Sequence, residues 1–463
     1  MTIRARAEAQ QVSSPLPALP TDPVLAKLVE QSLAARPELA QAEALVRADR
    51  ERVSQEGAFP DPMLQIGIQN DSFTSIQIGE METSFYSIMA SQSFPWPGKR
   101  GLRSEVAELV ARQGETNVAR LRLTAEADVR RTYLDLLLAR DRLALLDRLD
   151  AIWSKSEAVA RVRYESGEGA QSDVLRSQLE VNRLKQRRWA LQAQERALVQ
   201  GLNRLRGHRL DEPIATTAHL ADLGTPTNPD AQAALDNALA RSPELAAARL
   251  GVIQSEKSQA LARKSYFGDL VLSAGVMPRG GLPPMWQLNL GSTVPIFAGS
   301  KQSRAVAESE ARAAAEQRNA DATGQILGLR IEERRTVLAA LLDTITLYRE
   351  GLLIQSEATA DSTLAQYSVG KVSFASVLEA NAGFVADEDG FLQAIADAQR
   401  LAIAFHEVSL EPTATALVGA MGAPGMPGAT GRGMGEGPTR STGAGGAPPV
   451  QAAEGGMRST SGM

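Results

Sequence analysis

Residues 155–185 read KSEAVARVRYESGEGAQSDVLRSQLEVNRLK, and their polar centre, Tyr164-Glu165-Ser166-Gly167-Glu168-Gly169, decides the fold. On either side the chain is rich in Leu, Ala, Arg, Glu and Gln, all good helix formers. No proline occurs from Gly98 to Glu212; one inside a helix would cost about 3 kcal/mol. Leu184, Leu191, Leu198 and Leu205 recur every seven residues, with Val181 and Leu202 beside that row. Leu136, Leu143, Leu146 and Trp153 form another such row. A seven-residue repeat winds helices into a left-handed coil. The glycines end one helix and start the next. The stretch therefore reads as a helical hairpin with its tip near Gly167 and arms of about 50 residues, about 75 Å each.

The same object occurs twice. Proline is absent again from Ile296 to Glu411, and Gly370 supplies the break. Tyr164-x-x-Gly167 followed by Val174-Leu175 matches Tyr367-x-x-Gly370 followed by Val377-Leu378 at identical spacing. Upstream, Pro37-Glu38-Leu39-Ala40 matches Pro243-Glu244-Leu245-Ala246. A repeat this long is a duplicated domain, not a short-repeat solenoid.

Ahead of each helical hairpin the period changes to two. Leu64, Ile66 and Ile68 alternate with smaller or polar residues, a polar segment runs from Asn70 to Thr83, and a returning strand follows from Ser84 to Phe94. In the second half Leu270, Leu272, Ala274 and Val276 alternate with Val271, Ser273 and Gly275. Pro278–Pro283 makes the turn, and Trp286–Val294 alternates back. Strict alternation marks strands. At roughly 9 to 11 residues they are long enough to cross a bilayer when tilted. The bland reading is a soluble hairpin packed on a core. The sharper one puts lipid on the apolar face and water on the other, and four strands then need further copies of the chain to close a barrel.

The predicted organisation is an extended, proline-rich lead (1–22) and a first repeat (23–210) holding a β-hairpin at about 62–94 and a helical hairpin at 98–210. A linker (211–230) rich in Pro, Thr and Asn is expected to cross the outside of the assembly. A second repeat (231–411) holds a β-hairpin at about 269–295 and a helical hairpin at 298–411. A Gly/Pro/Met-rich tail (412–463) is expected to be disordered. Asp22 and Pro23 fit the N-cap and first turn of the opening helix. Pro37 implies a kink or two shorter helices.

Composition narrows the function. Net charge is −5 with no dominant basic patch, so nucleic acid is not the expected partner. There is no cysteine, which excludes disulfides, thiol chemistry and an acylated N-terminal cysteine in the chain as given. No apolar run is long enough for a transmembrane helix. The first twenty residues lack the apolar core of a signal peptide, so an export signal is expected to be missing from this chain.

With Pro60-Asp61-Pro62-Met63 before it and Tyr164-x-x-Gly167 and Asp173-Val174-Leu175 after it, the tract Phe94-Pro95-Trp96-Pro97-Gly98-Lys99-Arg100 resembles the TolC family of outer-membrane efflux channels. The tract most resembles the branch that serves heavy-metal cation pumps of the cobalt–zinc–cadmium and copper–silver types. The likeness covers residues 22–411 in the family's order. It implies a mainly α chain with membrane β structure, and a homotrimer with a twelve-stranded barrel in outer-membrane lipid. A long α-helical barrel would continue it into the periplasm. The implied partners are a periplasmic adaptor (membrane fusion) protein and an inner-membrane, proton-driven RND pump.

A conduit needs a polar wall and a gate, not catalytic residues, a cofactor or a resident metal. By resemblance the gate residues are Asp173, Tyr367, Ser376 and Glu379, while Tyr164, Gly167 and Gly370 form the adaptor-facing tips. Where well-known members carry a basic residue and another acid, this chain has Val372 and Ser376. Copies of Asp173 or Glu379 around a narrow axis would make an acidic, cation-selecting ring; the alternative is that both are solvated helix residues. Tyr164 and Tyr367 are equally read as packing residues at the turn.

Gly98-Lys99 is not a phosphate loop, since the upstream glycine and the following Ser/Thr are missing. His208, His219 and His406 have no ligand spacing. Tail residues Met421, Met426, Met434, Met457 and Met463 are open to a soft-metal reading, although a plain disordered tail explains them as well. Other functional readings are a type I secretion or multidrug channel of the same family, and a soluble coiled-coil scaffold. No nucleophile–base pair suggests an enzyme.

Overall fold

In a computed structural model of the chain, the structure describes residues 22–412 except Thr217, together with Leu16, Pro17 and Leu19. The extended lead and the Gly/Pro/Met-rich tail expected from the sequence lie almost wholly outside the described residues. Asp22 caps the first helix, its carboxylate accepting from the Val24 N–H at 2.8 Å. Helix α1 (Pro23–Ala35) and α2 (Pro37–Gly57) are separated by extended Arg36, as Pro37 requires.

Strands β1 (Met63–Gln69) and β2 (Phe85–Phe94) lead into α3 (Lys99–Glu165), a helix of 67 residues, about 100 Å long at 1.5 Å per residue. Helix α4 (Gln171–Leu205) returns for only 35 residues. The arms are thus unequal, because α3 continues past the end of α4 to reach the sheet. The second half repeats the order: α5 (Ala231–Arg241), α6 (Pro243–Lys264), β3 (Leu270–Arg279), β4 (Leu282–Ser292), α7 (Gln302–Leu347), α8 (Leu353–Ser368) and α9 (Phe374–Glu407). A π-helical turn at Tyr348–Leu352 joins α7 to α8, so their combined span, Gln302–Ser368, reproduces α3.

The four strands form one antiparallel sheet in the order β1-β2-β3-β4. Ile66, Ile88, Val276 and Trp286 stand in one row across it, and Gln65, Met89, Gly275 and Gln287 in the next. The apolar face is open, with Trp286 79% and Ile66 73% exposed, whereas Met277 on the other face is 9% exposed. The sheet therefore has one exposed apolar face and one mostly polar face. The turn is tighter than Pro278–Pro283. It is Gly280-Gly281, with Gly280 at φ +59°, which glycine alone adopts cheaply. Pro278 sits at a register shift in β3, and Pro283 and Pro284 lie on β4 at the sheet margin, where a missing ladder N–H is tolerated.

The main core lies midway along the helices. Leu134, Leu137 and Tyr133 of α3 meet Leu327, Ile331 and Leu338 of α7 and Leu401 and Phe405 of α9. Ile214 and Leu220 are buried in this same cluster, so the segment between the repeats is packed rather than a free tether. Asp141 fixes it by accepting from the Leu220 N–H at 2.8 Å and pairing with His219 Nδ1 at 2.6 Å. Arg334, 2% exposed, donates to the carbonyls of Ala404 and Ser409. Burial lowers its pKa to about 10.

The sheet is joined to the helices through the Phe94–Arg100 tract. Gly98 turns the chain at φ +90°, and Lys99 Nζ donates to Asp269 at 2.7 Å and to the Phe267 carbonyl at 2.7 Å. Asp269 also accepts from the Trp96 N–H at 2.9 Å. Trp96 stacks on Phe267 with ring centroids 5.0 Å apart, and the Arg100 guanidinium lies 3.4 Å over the Phe59 ring. Partial burial would push the Asp269 carboxyl up, but hydrogen bonds from Lys99 and Trp96 and the Lys99 charge hold it below the ordinary carboxylate range.

That shift sets a sign. The contribution of Asp269 is full above the ordinary carboxylate range and is lost as pH falls through its lowered value. We expect Lys99→Met to cost about 2 kcal/mol, the loss of charge-assisted hydrogen bonds in a covered site. The difference between Lys99→Met and wild type in denaturant midpoint should shrink at acidic pH. An equal difference at all pH values would remove the ion pair from the account.

Candidate gate at the helical tips

The two tips are built by one local device. Gly167 lies at φ +78° and Gly370 at φ +77°. At the first, the Gly167 N–H donates to the Tyr164 carbonyl and the Glu168 N–H to the Arg163 carbonyl. At the second, the Gly370 N–H donates to the Tyr367 carbonyl and the Lys371 N–H to the Gln366 carbonyl. Both are Schellman caps, in which a left-handed glycine lets two trailing amides satisfy the last helical carbonyls. Tyr-x-x-Gly is thus the sequence trace of this cap.

The side chains break the symmetry. Tyr164 is 46% exposed, while Tyr367 is 3% exposed and packs with Ala160, Leu364, Phe374 and Val377. Val372, which stands where the resemblance expects a base, packs against this cluster. The Tyr367 hydroxyl donates to Asp173 Oδ2 at 3.1 Å. Burial first, then the hydrogen bond to Asp173, pushes the Tyr367 phenol up to about 12. It is therefore a donor throughout the physiological range.

The structure brings together only two of the four expected gate residues, Asp173 and Tyr367. Asp173 lies in the first turn of α4, where a carboxylate complements the helix N-terminus. Ser376, at the matching place in α9, instead donates its N–H to Ser373 Oγ in the N-cap of that helix. Glu379 is exposed on α9.

Sequence reasoning missed Arg163. Its guanidinium donates to the Tyr367 carbonyl, donates to the Glu168 carbonyl at 3.1 Å, and lies 5.0 Å from the Tyr367 ring centroid. It therefore ties the cap of the first hairpin to the cap of the second. The one available signal was asymmetry between the repeats, because the counterpart of Arg163 is Gln366.

A family profile described as outer membrane efflux protein matches residues 28–208 and 234–405, one block on each repeat. The chain belongs to the outer membrane efflux protein family. Members are channels rather than enzymes, and this chain is accordingly an outer-membrane efflux channel of the kind found in tripartite efflux systems.

Solved channels share the fold. The outer-membrane channel OprN is 20% identical, with 84% of this chain and 91% of that one covered, at a TM-score of 0.68. CusC, solved in conformations that accompany folding and transmembrane channel formation, is 17% identical, with coverage of 85% and 94% and a TM-score of 0.73. VceC of Vibrio cholerae is 16% identical, with coverage of 83% and 95% and a TM-score of 0.69. Among curated proteins no match was found.

A Cβ at position 370 would stand 3.1 Å from Arg163 Nη2, whereas one at position 167 would meet open space. Both positions carry the left-handed penalty of about 1–2 kcal/mol. Gly370→Ala should therefore destabilise more than Gly167→Ala in thermal unfolding of the purified protein. Equal losses would mean that Arg163 moves aside freely.

Proposed function

We propose that three copies of this chain form the exit duct of a tripartite pump that expels heavy-metal cations. The observation that carries the assembly is the sheet. It presents an apolar outer face and pairs β1 only with β2 and β4 only with β3. Unpaired strand edges cannot stand in lipid. Pairing β4 of one copy with β1 of the next closes a barrel of twelve strands and satisfies both edges.

The heavy-metal assignment rests on the Phe94–Arg100 tract, which resembles that branch of the family. In this reading the helices line a periplasmic conduit, and the tips at Gly167 and Gly370 meet an adaptor protein that links the duct to an inner-membrane RND pump. The exposure of Tyr164 at the first tip supports a contact with that adaptor.

Asp173, Tyr367, Ser376 and Glu379 are proposed to line the narrow end. Acids repeated around an axis raise the local concentration of cations and repel anions. The Tyr367–Asp173 hydrogen bond and the Arg163 tie hold the tips together within each chain, which supports a closed resting state.

The protein carried by an export signal should fractionate with outer membranes as a trimer, and a folded soluble monomer after export would sink the assembly. In planar bilayers, Asp173→Ala with Glu379→Ala should lower preference for cations, and Arg163→Ala should raise open probability. Unchanged currents in both variants would remove these residues from the gate.

A further inference from the structure

Among the described residues methionine is confined to one region. Among the described residues it occurs at positions 63, 81, 89, 277 and 285, all in the sheet or its outer loop, and at none in any helix. Methionine is a good helix former and an adaptable core filler, so its absence from the helices means that packing demand did not place it.

The face it occupies is also the wrong one for an apolar residue. The polar face carries Gln65, Gly67, Ser87, Ser91, Ser273, Gln287 and Asn289, as a water-filled lumen requires. Four methionines stand among these: Met63, Met89, Met277 and Met285. Apart from them this face is interrupted by Phe85 near its outer end and Val271 near its inner end.

Three of the methionines lie close together on three neighbouring strands. Met277 and Met285 are directly opposed across β3 and β4, which sets their Cβ atoms about 4.5–5.5 Å apart. Met89 is opposed to Gly275, two residues before Met277 on the same face. A Cβ on Gly275 would lie 2.7 Å from Met89 Cγ, so the Met89 side chain lies against that glycine and the missing Cβ leaves it room beside Met277. Met277 is 9% exposed and the other two are half-buried. Met63 lies one step further inward, opposite Ser91, and Met81 lies in the loop beyond the outer end of the sheet.

We propose that Met89, Met277 and Met285 form a thioether site in the channel lumen for a soft monovalent cation, Cu(I) or Ag(I). A thioether is neutral and polarisable, and it prefers such ions to Zn(II), Co(II) or other harder cations. Three flexible side chains on adjacent strands can supply three sulfurs to one ion without moving the backbone. The proposal rests on the efflux reading above for its biological sense, and it narrows the cargo to the copper–silver class. Its binding test does not depend on that reading.

The probe is Ag(I) in chloride-free buffer, added to the full-length channel purified from outer membranes with methionine methyls labelled by carbon-13. Silver should shift the methyl signals of Met89, Met277 and Met285, each assigned by its Met→Leu variant, and Zn(II) should not. Silver retained by Met89→Leu/Met277→Leu/Met285→Leu after desalting should fall by about one equivalent per chain, as for a single soft-ligand site.

The site is overturned if those three signals stay in place while tail methionines such as Met421 and Met426 respond, or if the triple variant keeps all its silver. Should that variant fail to assemble, the wild-type methyl spectrum still decides. A channel that binds silver here yet gives no metal tolerance with its pump would defeat the efflux reading and leave the site standing.

Discussion

The peptide groups on the outer edges of β1 and β4 govern the rest of this structure. A strand in lipid must satisfy every N–H and C=O from another strand, and one chain offers four strands with two margins left over. No side-chain chemistry within the chain repairs that deficit. Burying apolar area on the outward face makes it worse, because the same residues that commit the sheet to lipid commit its margins as well. Folding, association and membrane insertion are therefore linked steps. A lone chain in water exposes Leu64, Ile66, Trp286, Leu288 and Leu290 on one sheet, a template for edge-to-edge aggregation.

Helix α3 connects the events at its two ends. It begins at Lys99, held by Asp269 of the other repeat, and in its last turn Arg163 reaches the cap of the other repeat. Between these points Arg142 makes a paired contact with Asp389 of α9, and Arg120 meets Glu244 of α6. Individually such partly exposed pairs contribute little. Together with the central core they align one continuous helix with the second repeat along about 100 Å. The duplicated halves are thus interleaved, and neither could keep its hairpin in place alone.

Much of this was legible in the residues, for identifiable reasons. Alternation at Leu64–Ile68 and Leu270–Val276 is a local property of strands with two unlike faces. The Tyr-x-x-Gly recurrence is a helix cap that only glycine closes well. Heptads at Leu184–Leu205 survive because long helices average over local exceptions.

What the residues concealed depends on distant contacts. Gly280-Gly281 was hidden by the prolines around it, whose tolerance follows from a register shift and a marginal strand. Burial of Ile214 and Leu220 depends on Asp141, which lies far away in sequence. Arg163 sits in an ordinary helical run, and its partner carbonyl is 204 residues on. Ser376, the counterpart of Asp173 in the second repeat, has its amide held by the hydroxyl of the N-cap Ser373.

The paired caps have one more consequence. In an assembly of three chains, the Gly167 and Gly370 turns would give six nearly equivalent backbone loops around the mouth. Yet an exposed ring at Tyr164 alternates with a sequestered ring at Tyr367. A docking protein that grips main chain would meet sixfold pseudosymmetry, whereas one that reads side chains would meet only threefold. The duplication thereby offers two different stoichiometries to whatever sits beneath the duct, selected by the kind of contact it makes.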